Sequence, residues 1–426
     1  MNSPRAPRGA EDRARGGGAE RARHPGSPPS SIRDVALAAG VSVATVSRAL
    51  RGLDRVSEDT RERVLRAAEA LDYVASPTAA SLATGRTSVV GIVLPFLDRW
   101  FFATIVSEIE DVLRRSGFQV LLLNIGDRSG EDSMVLDQRL LAKRIDGIIV
   151  LGVDLEAAEA SVLRRLALPV VTISASLPGC DRVGIDDVAA AESATQHLLA
   201  LGHRRIGYVG GDSSNDVRRA TAVDRARGVH HALAAAGLAL EPELDAVADW
   251  TVTGGWRAAE GLLARRLPPT AILAASDEMA IGVLCAARAL GWSVPRHLSV
   301  VGIDDHEMAV THGLTTVAQP VRSQGRIAAE MLLAHLASGT RAAPARDVVL
   351  STAMVLRSST AAPRTEPRPR RRAGAAAAVG RSPRADAPTT PVPGPTPPES
   401  QSQSQSQSGQ TRTPRGGQRA GSARRP

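Results

Sequence analysis

Between residues 87 and 360 short apolar runs alternate with helical stretches, and few folds accept that order. VVGIVLPF precedes a helix expected near 102–116, FQVLLLNI one near 131–144 and DGIIVLG one near 155–166, and PVVTIS closes the series. A second series starts with a helix near 187–201. It continues through RIGYVGG, helices near 221–236 and 254–266, TAILAAS, a helix near 277–290 and LSVVGID. Strands that are apolar throughout, separated by helices, indicate parallel sheets covered on both faces. The break near 174–186 divides the pattern into two similar lobes with a cleft between them, and ligands in such folds sit beyond the carboxyl ends of the strands.

The formal charge of +8 is unevenly distributed. Residues 1–30 hold six Arg against three acids and residues 361–426 hold twelve Arg against three acids, which leaves −4 for residues 31–360. Both end segments are rich in Arg, Pro, Gly and Ser, the second with a QSQSQSQS run, and neither has the apolar content to bury a core. They are expected to be disordered tails, either merely solvating or attracted to DNA phosphates in a salt-sensitive way.

Cys180 and Cys285 are far apart, which argues against a zinc cluster, a redox pair or a disulfide framework; two buried structural thiols are expected. The first residues contain no apolar stretch of signal-peptide type, and no segment approaches the length of a membrane span. A cytoplasmic protein is the expectation. Nor does an enzyme emerge: GYVGGD lacks the spacing of a dinucleotide loop, and His230-His231 falls within a helix with no third metal ligand in view.

Residues 31–72 read as three short helices. In SIRDVALAAGVSVATVSRAL, Ile32, Val35, Ala36 and Ala39 share one face of the first helix, and the alanines allow a second helix to approach closely. Gly40 supplies the left-handed residue that turns the chain, and Ser42 is placed to cap the next helix. There Val46, Ala49 and Leu50 point inward, so Val43, Ala44, Ser47 and Arg48 form the outer face near its start. A recognition helix presents that face to the major groove, where Arg48 matches guanine O6 and N7, and Val43 and Ala44 match thymine methyls. The third helix, in VSEDTRERVLRAAEALDY, is expected to be capped by Ser57 and Glu58, with Val64, Leu65, Ala68 and Leu71 in the core. In the following SPTAASLATGRT, Ala79 and Leu82 share one side of a short helix; Leu82 is either a minor-groove wedge or a linker contact.

The headpiece, the linker and nearly all of 87–360 resemble the lactose-repressor and galactose-repressor (LacI/GalR) family of bacterial regulators. The fold this implies is an all-α helix-turn-helix headpiece followed by a two-lobed, periplasmic-binding-protein-like α/β domain with parallel sheets. The implied organisation is a basic tail over 1–30, a headpiece over 31–73, a hinge over 74–86, a sensing and dimerisation domain over 87–360, and a second tail over 361–426. The resemblance implies a homodimer on a palindromic operator in double-stranded DNA, with no cofactor, no metal and no membrane partner. Its DNA-contacting residues would be Ser42, Val43, Ala44, Thr45, Ser47 and Arg48, with Ala79 and Leu82 in the hinge. Relatives often carry Pro-Asn before the hinge and Arg beside its Ala, where this chain has Ala75, Ser76 and Ala80. Arg51 replaces a common Asn.

Within the sensing domain the resemblance implies a small-molecule effector, expected to be a sugar. Aromatics make up only 2% of the chain, so LDRWFFA, with Trp100, Phe101 and Phe102, is an unusual concentration. It reads equally as an apolar ligand wall or as core packing, and stands where relatives show Asn-Pro-Phe-Phe. Arg225 opens an R-x-x-G motif whose guanidinium grips ligand in relatives, and Trp250 falls where they stack an aromatic on the sugar. Asp277 and Asp304 follow strand ends and are expected to accept bonds from ligand hydroxyls, with Asp187 as a further candidate and Asp305 serving the backbone. GLTTVAQPVRSQGRIAAEMLL resembles the final crossover between lobes, with Gln319 reaching the cleft. Two other classes compete: an architectural DNA-binding protein driven by the tails, and a periplasmic sugar-binding protein, which would need a secretion signal and no headpiece.

Overall fold

The computed structural model describes residues 30–73, 86–126, 136–212, 218–338 and 344–364. The headpiece consists of α1 (Ile32–Ala39), α2 (Val43–Leu50) and α3 (Glu58–Ala70). The Ser31 amide and hydroxyl both donate to Asp34 at 2.8 Å, fixing the start of α1, and these bonds hold the Asp34 carboxyl below its usual range. Gly40 ends α1 in the left-handed region at φ 67°, and Ser42 caps α2 by accepting the Thr45 amide at 3.1 Å. Val35, Val46 and Val64 are fully buried at the centre, with Ala36, Ala39, Ala49 and Ala68 around them. Two expectations for α3 need correction. Leu65 is 49% exposed, because the buried stripe runs through Val64 and Ala68 and places Leu65 off that face. Ser57 alone caps the helix, while Glu58 sits in its first turn, 3.7 Å from Arg61.

The first lobe is built on β1 (Val89–Leu94), β2 (Gln119–Asn124), β3 (Gly147–Leu151), β4 (Val170–Ile173) and β5 (Asp181–Gly184), with helices α4 (Trp100–Arg115), α5 (Gln138–Leu141) and α6 (Ala157–Leu166) between them. After α7 (Asp187–Ala200) the second lobe repeats the plan. It comprises β6 (Ile206–Gly211), α8 (Arg219–Ala235), β7 (Asp245–Ala248), α9 (Val252–Leu263), β8 (Ala271–Ala274), α10 (Asp277–Ala289), β9 (Ser299–Asp304), α11 (Glu307–His312) and β10 (Thr315–Ala318). The chain then returns through α12 (Val321–Ser338), places β11 (Asp347–Val349) in the first sheet and ends with β12 (Ala353–Val355) in the second.

The two sheets have matching orders, β2-β1-β3-β4-β5-β11 and β7-β6-β8-β9-β10-β12, and only β12, beside β10, pairs antiparallel. In each the order reverses beside the first strand of the lobe, and that switch point opens a crevice beyond the carboxyl ends of the strands. The expected break near 174–186 contains β5, whose Asp181 and Arg182 hide a strand pairing with both β4 and β11. Ala361, assigned to the tail, accepts the Ser299 hydroxyl at 3.0 Å and the His203 ring at 2.9 Å, so the ordered body runs slightly further. Cys180 and Cys285 are half-buried rather than buried. Among the described residues no helix is long and apolar enough to cross a membrane.

Candidate functional site

The headpiece presents one helix face to solvent. Because Val46 and Ala49 are consumed by the core, Val43 (40% exposed), Ala44 and Arg48 stand outside, with Thr45 and Ser47 half-buried beside them. The Thr45 and Ser42 hydroxyls are 2.9 Å apart, and Arg51 donates through Nε to the Ser47 carbonyl at 2.9 Å. Arg51 thus covers a carbonyl of the last turn of α2. Ala79 and Leu82, and the linker residues Ala75, Ser76 and Ala80, lie outside the described residues.

The second candidate is a cleft between the lobes where the strands end. From the first lobe it takes Phe96, Arg99, Trp100, Phe101 and Phe102, and from the second Arg218, Trp250, Ser276, Glu278 and Asp304. Five of the chain's four Trp, two Tyr and four Phe therefore meet here. Phe101 and Phe102 pack edge to face, with centroids 5.3 Å apart, and are 7% and 1% exposed. They belong to the lobe core and line the cleft at once. Close approach is secured by glycines: a Cβ on Gly152 would lie 2.8 Å from Phe102, and one on Gly211 2.3 Å from the Trp250 ring. Gly210 and Gly211 of GYVGGD therefore make room for the Tyr208 and Trp250 rings rather than for a dinucleotide. Trp250 and Asp304 both have positive φ, 63° and 133°, a backbone conformation that L residues adopt at a cost of about 1–3 kcal/mol each where surrounding structure holds them.

Contacts across the cleft tie the lobes together. Arg99 donates to the Asp249 carbonyl at 3.1 Å, the Trp100 amide donates to Glu278 at 3.4 Å, and the Ala220 amide donates to Asp154 at 2.6 Å. Trp100 stacks on His306 with centroids 4.6 Å apart. Burial raises the Glu278 carboxyl above its usual range and lowers the His306 imidazole below its own.

Behind the second-lobe wall lies a buried charge cluster. Arg225, 2% exposed, donates through Nε to Asp187 at 2.8 Å, bonds the Ala275 carbonyl through Nη1, and faces Asp304 at 3.5 Å. Burial opposes its charge, but Asp187 and Asp304 outweigh burial and raise its pKa above the usual value. Burial also pushes the Asp304 carboxyl up, against the opposing pull of Arg225 and Arg218. Asp304 accepts from Gln319 at 2.6 Å, Gln319 accepts from Gln324 at 2.9 Å, and Gln324 bonds Ser174 of the first lobe at 3.3 Å. A hydrogen-bonded chain thus runs from the cleft to the other lobe.

Of the ligand residues expected from sequence, Phe101, Phe102, Trp250 and Asp304 line the cleft. Arg225, Asp187 and Gln319 stand one layer behind, bonded to Asp304 or to one another. Asp277 departs from expectation: it is fully buried, accepting the Thr316 hydroxyl at 2.7 Å and the His306 amide at 2.8 Å. It turns inward because Gly302 leaves space for its carboxyl; a Cβ there would sit 2.0 Å from Asp277 Oδ1. Burial, reinforced by the charge of Asp304, raises the Asp277 carboxyl to about 8. Asp305, expected to serve the backbone, instead pairs with Arg357 at 2.6 Å. Sequence reasoning missed Arg218, Glu278 and Arg99, although Arg99 stands within LDRWFFA and Glu278 directly follows Asp277. The sparse aromatics around Arg99 were the one available signal.

The two parts of the chain match two family models. Residues 31–76 match that of bacterial regulatory proteins of the lacI family, and residues 195–360 match a periplasmic binding protein-like domain. Catabolite control protein A of Priestia megaterium is 33% identical over 311 residues, 72% of this chain and 92% of that protein. The chain belongs to the LacI family. Among solved structures, the lac repressor dimer bound to operator and the anti-inducer ONPF superposes with a TM-score of 0.70 at 29% identity, covering 79% of this chain and all of that one. The transcriptional regulator CelR in complex with cellobiose gives a TM-score of 0.56 at 31% identity, over 78% of this chain and 99% of that one. As a member of the LacI family the chain is a DNA-binding transcription regulator rather than an enzyme.

Proposed function

We propose that this LacI-family protein is a cytoplasmic, homodimeric repressor whose hold on a palindromic operator is changed by a sugar bound between the lobes. The observation that carries the reading is the cleft itself, where a first-lobe aromatic wall faces Asp304 and Trp250 of the second lobe. Sugars offer apolar C–H faces for rings and hydroxyls for carboxylates, and a pocket of this mixed lining suits them. The CelR–cellobiose complex supports the ligand class, and the operator-bound lac repressor dimer supports the partner and the assembly. Residues 31–73 act as the headpiece, 74–86 as the hinge and 87–360 as the sensor, with 1–30 and 361–426 as tails.

In this reading Arg48 reads guanine, Val43 and Ala44 meet thymine methyls, and Ser42, Thr45 and Ser47 contact the DNA around them. Ala79 and Leu82 serve the hinge. In the cleft, Phe101, Phe102, Trp250 and Asp304 receive the sugar, while Arg225, Asp187, Gln319 and Asp277 hold Asp304 and its wall in place. A sugar acts on DNA binding only through different affinities for two lobe arrangements. The chain of bonds from Asp304 through Gln319 and Gln324 to Ser174 gives those arrangements something to differ in.

The test is binding to DNA upstream of the protein's own and neighbouring genes, with competitor DNA, with and without a sugar panel. A protected palindrome whose occupancy changes with one sugar is expected, and Arg48→Ala should weaken that site by about 1–3 kcal/mol. Binding without sequence preference, equal in Arg48→Ala and indifferent to every sugar, would contradict the reading in favour of an architectural DNA-binding protein.

A further inference from the structure

The aromatic wall of the cleft already has an occupant. The Arg218 guanidinium carbon lies 4.1 Å from the Trp250 ring centre, 5.3 Å from that of Phe102 and 5.5 Å from that of Phe101. Arg218 is 8% exposed, and Glu278 and Asp304 line the same space. Three aromatic rings with two carboxylates form the surroundings that favour a planar, weakly hydrated cation. The free interior left around it is about 10 Å³, room for about one water molecule. With space for about one water molecule beside the guanidinium, a ligand that reaches Trp250 must take the place of something already there.

We propose that Arg218 is an internal occupant of the cleft: its guanidinium fills an aromatic cage made by Phe101, Phe102 and Trp250, and a ligand binds by displacing it. The inference rests on the cleft being the effector site. Arg218 then sets which ligands qualify and at what concentration. A ligand must replace what the guanidinium supplies, a flat face for Trp250 and a positive charge that Glu278 and Asp304 feel, which N–H or O–H donors toward those carboxylates would do. Hydroxyl- or amine-bearing rings meet both demands. The energy of seating Arg218 is subtracted from every ligand's affinity, because only the fraction of molecules with an open cage can bind.

Arg218→Ala empties the cage while leaving its walls in place, and Arg218→Met keeps the stem without the charge, guarding against disturbance at the start of α8. The probe is guanidinium chloride, well below denaturing concentrations, read by tryptophan fluorescence with sodium chloride and urea as controls and circular dichroism as the check on folding. Both variants are expected to show a saturable response to guanidinium that the wild-type protein lacks. The response should vanish when Trp250→Phe is added. Identical titrations of wild type and both variants would overturn the proposal. The sugar panel separates this failure from failure of the effector reading. A sugar that binds the wild type should bind both variants about tenfold more tightly or better. Weaker binding in both would mean that Arg218 grips the ligand, overturning the proposal while the cleft stays the effector site. Guanidinium rescue without sugar binding to any form supports the cage and removes the sugar reading.

Discussion

The two lobes share a strand order, yet they stabilise their cleft faces by different means. The first lobe presents Phe96, Trp100, Phe101 and Phe102, rings rooted in its own apolar core. The second pairs Arg225 with Asp187 and Asp304 behind its wall, and buries Asp277 beside them against the Thr316 hydroxyl and the His306 amide. Apolar packing is indifferent to pH and tolerates the loss of a neighbour in proportion to the cavity left. A buried charge cluster fails abruptly when one member goes and responds to protons. One fold thus supplies a passive wall and a titratable one facing it.

The largest effects should come from removing one group on each side. Arg225→Met strands two buried carboxylates and is expected to cost about 3–5 kcal/mol in urea unfolding at pH 8. Phe102→Ala opens a cavity in the first lobe and should cost a similar amount, about 3–5 kcal/mol. Their pH dependence separates them. Without Arg225 the Asp304 carboxyl loses its main opposing charge and its pKa rises further. A carboxyl with a raised native pKa contributes stability that is present at low pH and lost as pH rises through that pKa. The Arg225→Met deficit should therefore shrink from pH 8 to pH 5, while that of Phe102→Ala stays constant. Equal pH dependence in both would break the comparison.

A further pH-dependent effect is expected at Asp277, whose native pKa of about 8 lies well above the ordinary value of 3.8. By the same sign rule, its stabilising contribution is complete below pH 3.8 and is lost as pH rises through 8. Asp277→Asn mimics the protonated carboxyl, so thermal unfolding of the variant should exceed wild type at pH 9 and match it near pH 4. Smallest is Tyr208→Phe. Among the described residues no hydrogen-bond partner reaches the buried Tyr208 hydroxyl, and burial raises its pKa. Removing it should leave stability within about 1 kcal/mol of wild type, on the stabilising side, in chemical denaturation.

Legibility from sequence followed the same division. Val35, Ala36, Ala39, Val46 and Gly40 announced the headpiece because small cores leave little freedom for their period and turns. The apolar strands β1, β3, β6, β8 and β9 were visible because both faces of each are buried. β5, with Asp181 and Arg182, and the short strands of the final crossover carried no such signature. In the site, residues at strand ends were found as a class, but which of them face the cleft was decided by neighbours no motif records. Asp277 turns inward because Gly302 lacks a side chain, and Arg218 enters the cleft because Trp250 offers a ring.

The central claim is that the cleft controls the headpiece. Its most direct test is the ratio of operator affinities with and without the bound sugar, measured by fluorescence anisotropy for the wild-type protein and for Asp304→Asn. A wild-type ratio of about 5–150, corresponding to a coupling of about 1–3 kcal/mol, that collapses towards one in the variant is predicted. A ratio of one in the wild type for every sugar that binds, or a ratio unchanged by Asp304→Asn, would contradict it.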